Sequence, residues 1–224
     1  MRRKSAARTS VPRRHKSARG RPPARDVATR EEHLLEVATE VFLDKGFKGA
    51  SMIEIARRAG ASKQTLYARY PSKAALFAAL IERKASRLFE AIGPLGDGRT
   101  VRETLVHVGT EMLDLILSGD ARGVHRVVIA ECIEFPELSE IFWERGPGRV
   151  RAMLAEYLRT QQKQGAIHCG NPEQAVEVFL GILVSGASLR AWLGIPCAFT
   201  RTPAQRKAWV NYAVESFLAL AGRP

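Results

Sequence analysis

Residues 51–73 read SMIEIARRAGASKQTLYARYPSK, and two short helices are legible in that stretch. The first is amphipathic, with Met52, Ile55, Ala56 and Ala59 at helical spacing on one face and Arg57 and Arg58 on the other. Gly60 supplies a tight turn. Ser62 is placed to cap the second helix, and Pro71 keeps that helix from continuing. Two helices of about two turns each, joined by a glycine-containing turn, make a helix-turn-helix. The second helix keeps Leu66 for a core and presents Lys63, Gln64, Thr65 and Tyr67. Those donors, acceptors and the phenol suit base edges and phosphates better than a packed interior.

Helix starts recur on both sides of this motif. Thr29 with Glu32, Ser51 with Glu54 and Thr100 with Glu103 match the capping box, in which hydroxyl and carboxylate satisfy free backbone N–H groups reciprocally. Asn171-Pro172-x-Gln174 and Thr202-Pro203-x-Gln205 add a cap, a proline at the first helical position and a glutamine at the third. Apolar stripes follow the caps. Leu34, Val37, Ala38, Val41 and Phe42 end at Gly46, Leu105 to Ile116 stop near Gly119, and Val150 to Leu158 close at Gly165. No segment alternates apolar and polar residues between turn signals, so no sheet is expected. The fold class is all-α, with about nine helices over 29–45, 51–59, 62–69, 72–92, 100–118, 121–134, 137–164, 172–193 and 203–221. Gly146-Pro147 should break or kink the seventh. The glycine-rich residues 93–98 separate a helix-turn-helix domain over 28–88, its motif at 51–70, from a C-terminal domain over 100–221.

Composition narrows the class. A chain of 224 residues, 46% hydrophobic, has room for a real core in one large domain or two small ones. Its net charge of +12 is concentrated: residues 1–30 hold eleven Lys or Arg against the single acid Asp26, while the rest carry 24 bases and 22 acids. Residues 1–26 lack periodicity and read as a disordered basic arm ahead of a nearly neutral body. Such an arm can lie along phosphates and raise affinity without sequence preference. Cys132, Cys169 and Cys197 are an odd number at wide spacing, which fits reduced thiols and neither a disulfide framework nor a zinc site. No apolar run of membrane-spanning length and no export signal is read, so a cytoplasmic protein without membrane partners is expected. G-x-S-x-G, H-E-x-x-H and G-x-x-x-x-G-K-[ST] are all lacking, and Glu103, His107 and Glu111 have the wrong spacing for a di-iron bundle. The reading is of a non-enzyme with no cofactor or metal.

Across Thr29 to Leu88 the sequence resembles the TetR family of transcriptional regulators. The resemblance rests on Gly46-Phe47, Ser51, Ile55-Ala56, Ala59-Gly60, Ser62, Thr65-Leu66-Tyr67, Tyr70, and Ser72-Lys73 with Leu76. Ala61, Arg69 and Ala74 depart from the family pattern, and Arg69 adds a cation beside the DNA face. The resemblance implies that helix 62–69 enters the major groove, with Lys63, Gln64 and Thr65 reading bases. Tyr67, Tyr70 and Lys73 then touch phosphates, joined by Ser51 at its helix start.

The same resemblance gives the C-terminal domain two tasks. Helices 172–193 and 203–221 are apolar on more than one face, and Gly181, Ser185 and Ser188 permit close approach. With Trp209, Tyr212 and Phe217 they are the expected homodimer interface, a four-helix bundle whose two-fold symmetry matches a palindromic operator on double-stranded DNA. His107, Glu111, Arg126, Cys132, Trp143 and Trp192 are the expected lining of a pocket for a small-molecule effector, with His125 and Phe142 nearby. The tract around Cys132 to Glu137 resembles the AefR-like group of C-terminal domains. A homodimeric repressor released by its effector is the implied function; a nonspecific architectural DNA binder driven by the arm, and after it a helical-bundle enzyme, are the alternatives.

Overall fold

The computed structural model describes residues 24–222, with side chains from residue 28 onward. Residues 1–23, most of the expected basic arm, lie outside the described residues. All described secondary structure is helical: α1 (Ala24–Gly49), α2 (Met52–Arg58), α3 (Lys63–Arg69), α4 (Lys73–Ile92), α5 (Val101–Leu117), α6 (Gly119–Glu131), α7 (Glu137–Arg145), α8 (Pro147–Lys163), α9 (Pro172–Trp192) and α10 (Pro203–Ala221). The seventh expected helix is divided at Gly146, where Pro147 starts α8.

Local chemistry sets most of these boundaries. Thr100 with Glu103 and Thr202 with Gln205 form complete capping boxes, and the Asn171 side chain accepts from Gln174 N. Ser62, Ser72 and Ser118 cap α3, α4 and α6 through their hydroxyls. Two expected boxes do not form. α1 starts at Ala24, so Thr29 sits inside a helix, and Glu32 pairs with Arg83 and Arg87 of α4 instead. Ser51 holds the N-cap position of α2 without a side-chain bond, because Glu54 is drawn into ion pairs with Lys45 at 2.6 Å and Arg58 at 2.7 Å.

The helices close over two hydrophobic cores that do not follow the sequence order. One joins α1 to α4 through Phe42, Phe47, Leu66 and Phe77, and also takes in Val124, Val127 and Val128 of α6 and Leu138 of α7. The other joins α5, α8, α9 and α10 through Leu113, Leu158, Phe179 and Phe217, and receives Leu88 and Ile92 from the far end of α4. Three helices therefore bridge the halves among the described residues: α4 is buried in both cores, α6 packs on α1 while touching α5 and α9, and α7 packs between α4 and α8. By length and composition α9 is apolar enough to cross a membrane, which corrects the expectation that no such run exists. Its buried face, including Val176, Leu180 and Leu183, belongs to the second core.

Candidate nucleic-acid interface and internal cavity

The recognition motif is held from below by Leu66, which is 1% exposed in the first core. With that anchor fixed, the helical period turns Lys63, Gln64, Thr65, Tyr67 and Arg69 outward together. The Thr65 hydroxyl lies 2.7 Å from Ser62 Oγ, and its backbone N–H donates to the same oxygen, so the first turn of α3 is pre-formed. Lys63 Nζ sits 5.7 Å from the centre of the Tyr67 ring, placing a cation and a phenol side by side. Ser51 is exposed at the start of α2.

Two expected phosphate contacts have other partners. Tyr70 is 6% exposed, and its hydroxyl donates to Glu31 Oε1 at 2.9 Å. Burial first, then that carboxylate, push its phenol above the ordinary value. Lys73 Nζ donates to the carbonyls of Lys48 (3.0 Å) and Ala50 (3.1 Å) and lies 4.7 Å from the centre of the Phe47 ring. Desolvation lowers its pKa, partly opposed by the Glu131 charge. Arg69 remains exposed and pairs with Glu31 across the Tyr70 ring.

The turn that Lys73 holds is gripped from the opposite side as well. Gly46 adopts φ 71°, ending the regular part of α1, and a Cβ there would run into the Glu131 carboxylate. Glu131, the last residue of α6, accepts the backbone N–H of Phe47 at 2.8 Å and of Lys48 at 2.6 Å. Lys48 Nζ also pairs with Glu134 at 2.6 Å, which raises the lysine pKa. A cation on α4 thus holds the carbonyls, and an anion on α6 the amides, of the segment leading into Ser51 and α2.

Those same two helices wall an apolar cavity of about 290 Å³. Lys84 and Leu88 come from α4, Met112 and Ile116 from α5, and Val124 and His125 from α6; Trp143, Arg151 and Trp192 close the other sides. The His125 ring stacks on Trp192 (centroids 5.1 Å, 26°) and meets Phe142 edge-on at 4.8 Å. Burial lowers the His125 pKa, opposed by its 2.7 Å bond to the Ala121 carbonyl, so the imidazole is held neutral.

Of the residues expected to line a pocket, Trp143 and Trp192 do. His107 bonds the Ile92 carbonyl at 3.1 Å outside this cavity, and Arg126 is exposed. Glu111 is not in the lining, and Cys132 caps the end of α6 with its thiol 3.6 Å from the Ile129 carbonyl. The reason is angular: Met112 and His125 point inward, and a neighbour one residue away on a helix is rotated by about 100°. Among the expected interface residues, Gly181, Ser185 and Tyr212 are exposed on α9 and α10. Trp209 is half-buried, its indole donating to the Leu183 carbonyl at 2.8 Å. Ser188 and Phe217 turn into this chain's own interior: Ser188 lines the cavity, and Phe217 packs on Phe179 at 5.4 Å.

The exposed polar helix α3 thus sits on a small head joined through α4 and α6 to the body that holds the apolar cavity. Residues 34–80 match the family described as bacterial regulatory proteins, tetR family, and residues 103–222 match the AefR-like transcriptional repressor, C-terminal domain. The chain belongs to the TetR family. YvkB of Bacillus subtilis, an HTH-type transcriptional regulator, is 24% identical over 164 residues, covering 73% of this chain and 84% of that one. The repressor NemR of Escherichia coli K12 is 26% identical over 165 residues, 71% of this chain and 82% of its own. A TetR-family regulator from Mesorhizobium loti superposes with a TM-score of 0.74 at 27% identity, covering 87% of this chain and 98% of that chain. The flavonoid-responsive regulator FrrA gives 0.69 at 28% identity, with 86% and 96% covered.

Within this TetR-family fold, sequence reasoning missed Glu131, whose partners lie more than eighty positions away. It also missed Lys84 and Arg151 at the cavity, which read as ordinary surface charges on amphipathic helices.

Proposed function

We propose that this TetR-family chain is a homodimer that reads a palindromic operator through α3 and releases it when a small molecule occupies the cavity. The observation that carries the reading is that α4 and α6 belong to both ends of the molecule. Each lines the cavity, and each grips the turn ahead of α2 through Lys73 or Glu131. Lys63, Gln64 and Thr65 are the proposed base readers, with Ser51, Tyr67 and Arg69 on phosphates; Tyr70 and Lys73 support that surface from within. Two such helices about 34 Å apart would match half-sites in successive major grooves.

Repression with release by ligand is the proposed sign, supported by NemR, a repressor. FasR of Mycolicibacterium smegmatis, an activator 30% identical over 110 residues, shows that relatives include the opposite sign. The test is selection of binding sites from random duplex DNA, using the full chain and a variant lacking residues 1–23. A palindrome enriched by both supports the operator reader. No enrichment, with binding lost alongside the arm, would overturn it in favour of a nonspecific basic DNA binder.

A further inference from the structure

We propose that the cavity takes a flat, uncharged, hydroxylated aromatic molecule of about two rings, held by the Trp192 indole N–H and the His125 imidazole; this rests on the effector-regulated reading above. Size comes first. An apolar cavity of about 150 Å³ accepts benzene, and this one measures about 290 Å³.

Charge is decided by what surrounds the space. Among the described residues no Asp or Glu lines the cavity, so an ammonium ligand finds no counter-ion there. The two cations at its wall are already matched: Lys84 Nζ to Asp120 at 3.0 Å and Arg151 Nε to Glu177 at 2.6 Å, with the Arg151 guanidinium 4.7 Å from the centre of the Trp143 ring. A carboxylate ligand would compete with Asp120 or Glu177 for these cations, whereas a neutral ligand leaves both pairs as they are.

The polar atoms then specify orientation. Trp192, one of the lining residues, has its Nε1 buried without a hydrogen-bond partner. His125 donates from Nδ1 to the Ala121 carbonyl at 2.7 Å, an assignment made from that bond, which leaves Nε2 as an acceptor. Both rings line the cavity and stack on each other, and an aromatic hydroxyl has the chemistry for both: its oxygen accepts from an indole N–H and its hydrogen is donated to an imidazole nitrogen. The His125, Trp192 and Phe142 rings offer faces and edges to a flat molecule. An unbranched alkyl alcohol would fit against Met112 and Ile116 and carry a hydroxyl, yet it forgoes the ring contacts that Trp192, His125 and Phe142 offer a flat molecule.

Titration calorimetry on the full chain at neutral pH, with 2-naphthol, naphthalene, 2-naphthoate and 1-decanol as probes, tests this. 2-Naphthol is expected to bind about tenfold more tightly than each of the other three, the scale of one or two satisfied hydrogen bonds. Trp192→Phe keeps the ring and removes the donor, so 2-naphthol affinity should fall severalfold toward the naphthalene level while naphthalene binding is unchanged. His125→Phe, which removes the acceptor, provides the same test should the first variant not fold. Absence of 2-naphthol binding, equal binding of 1-decanol or 2-naphthoate, or retained selectivity in a folded variant would each overturn the proposal. A gel shift with the selected operator separates the two readings. Binding of 2-naphthol without DNA release leaves the cavity assignment standing and counts against effector release.

Discussion

A lysine ammonium that donates to two main-chain carbonyls above a phenyl ring acts as a cap for the segment it covers, and Lys73 does this between α1 and α2. Its residue type gave a reason to expect a phosphate contact; its neighbours give it a structural task. The same holds for capping boxes. Ser51 and Thr100 carry the identical pattern, yet only Thr100 completes it, because Glu54 has Lys45 and Arg58 within reach and Glu103 is left to its own helix end. Such competition is set by residues far off in sequence or on the next turn, so pattern alone does not resolve it. His125 carries a testable consequence. Desolvation holds its pKa below the ordinary 6.5, with the Ala121 carbonyl opposing, so at mildly acidic pH the unfolded chain binds the proton that the folded chain refuses. Its contribution to stability is therefore full above 6.5 and is lost as pH falls below that value toward the lowered folded one. The melting temperature should drop between about pH 7 and pH 5, and His125→Phe should flatten that slope while keeping the ring contacts. Thermal melts across that range check it; an unchanged slope in the variant would show that the titrating group lies elsewhere.

At the scale of elements, α6 is the helix whose role was least legible. The sequence places a helix over 121–134, close to the observed Gly119–Glu131; its apolar stripe is formed by Val124, Val127 and Val128. What no periodicity reveals is which core the stripe enters. Val124, Val127 and Val128 join the first core, on the far side of the glycine-rich linker at 93–98. The consequence is a hard contact at its end, where Glu131 accepts two amides beside a glycine whose positive φ leaves room for the carboxylate. Removing it in Glu131→Ala should cost about 1.5–3 kcal/mol of unfolding free energy, the range for hydrogen bonds to a charged group. Glu134→Gln, which loosens only the solvent-exposed pair with Lys48, should stay within about 0.5 kcal/mol. Urea titrations of both variants measure the contrast. Equal effects would mean that the carboxylate of Glu131 is no better than a surface charge. Because Glu131 does not line the cavity, its loss should weaken operator binding and leave probe binding untouched.

For the whole molecule, helix count and class were readable because caps and stripes are local, whereas the face that meets a second copy depends on what is left over after the chain has packed on itself. In α9 and α10 the inward residues include Phe179, Leu183, Val210 and Phe217, each 2% exposed or less. What remains outside is Val178, Gly181, Ser185 and Leu189 on α9, at helical spacing, with Tyr212 and Leu220 on α10, 63% and 72% exposed. An apolar stripe interrupted by glycine and serine lets two helices approach closely, and a two-fold axis through it would pair each stripe with its own copy. Ser185→Arg places a long cation at that contact. In the isolated chain the site is open to solvent, so fold stability should change by no more than about 0.5 kcal/mol. Sedimentation at micromolar protein should nevertheless shift from dimer to monomer. Operator affinity should then fall by about two to four orders of magnitude, because each half-site is held without its tethered neighbour. Binding to a single half-site duplex should be unchanged, since Lys63, Gln64 and Thr65 lie on the separate helix α3. A variant that stays dimeric and keeps full operator affinity would move the interface off this face.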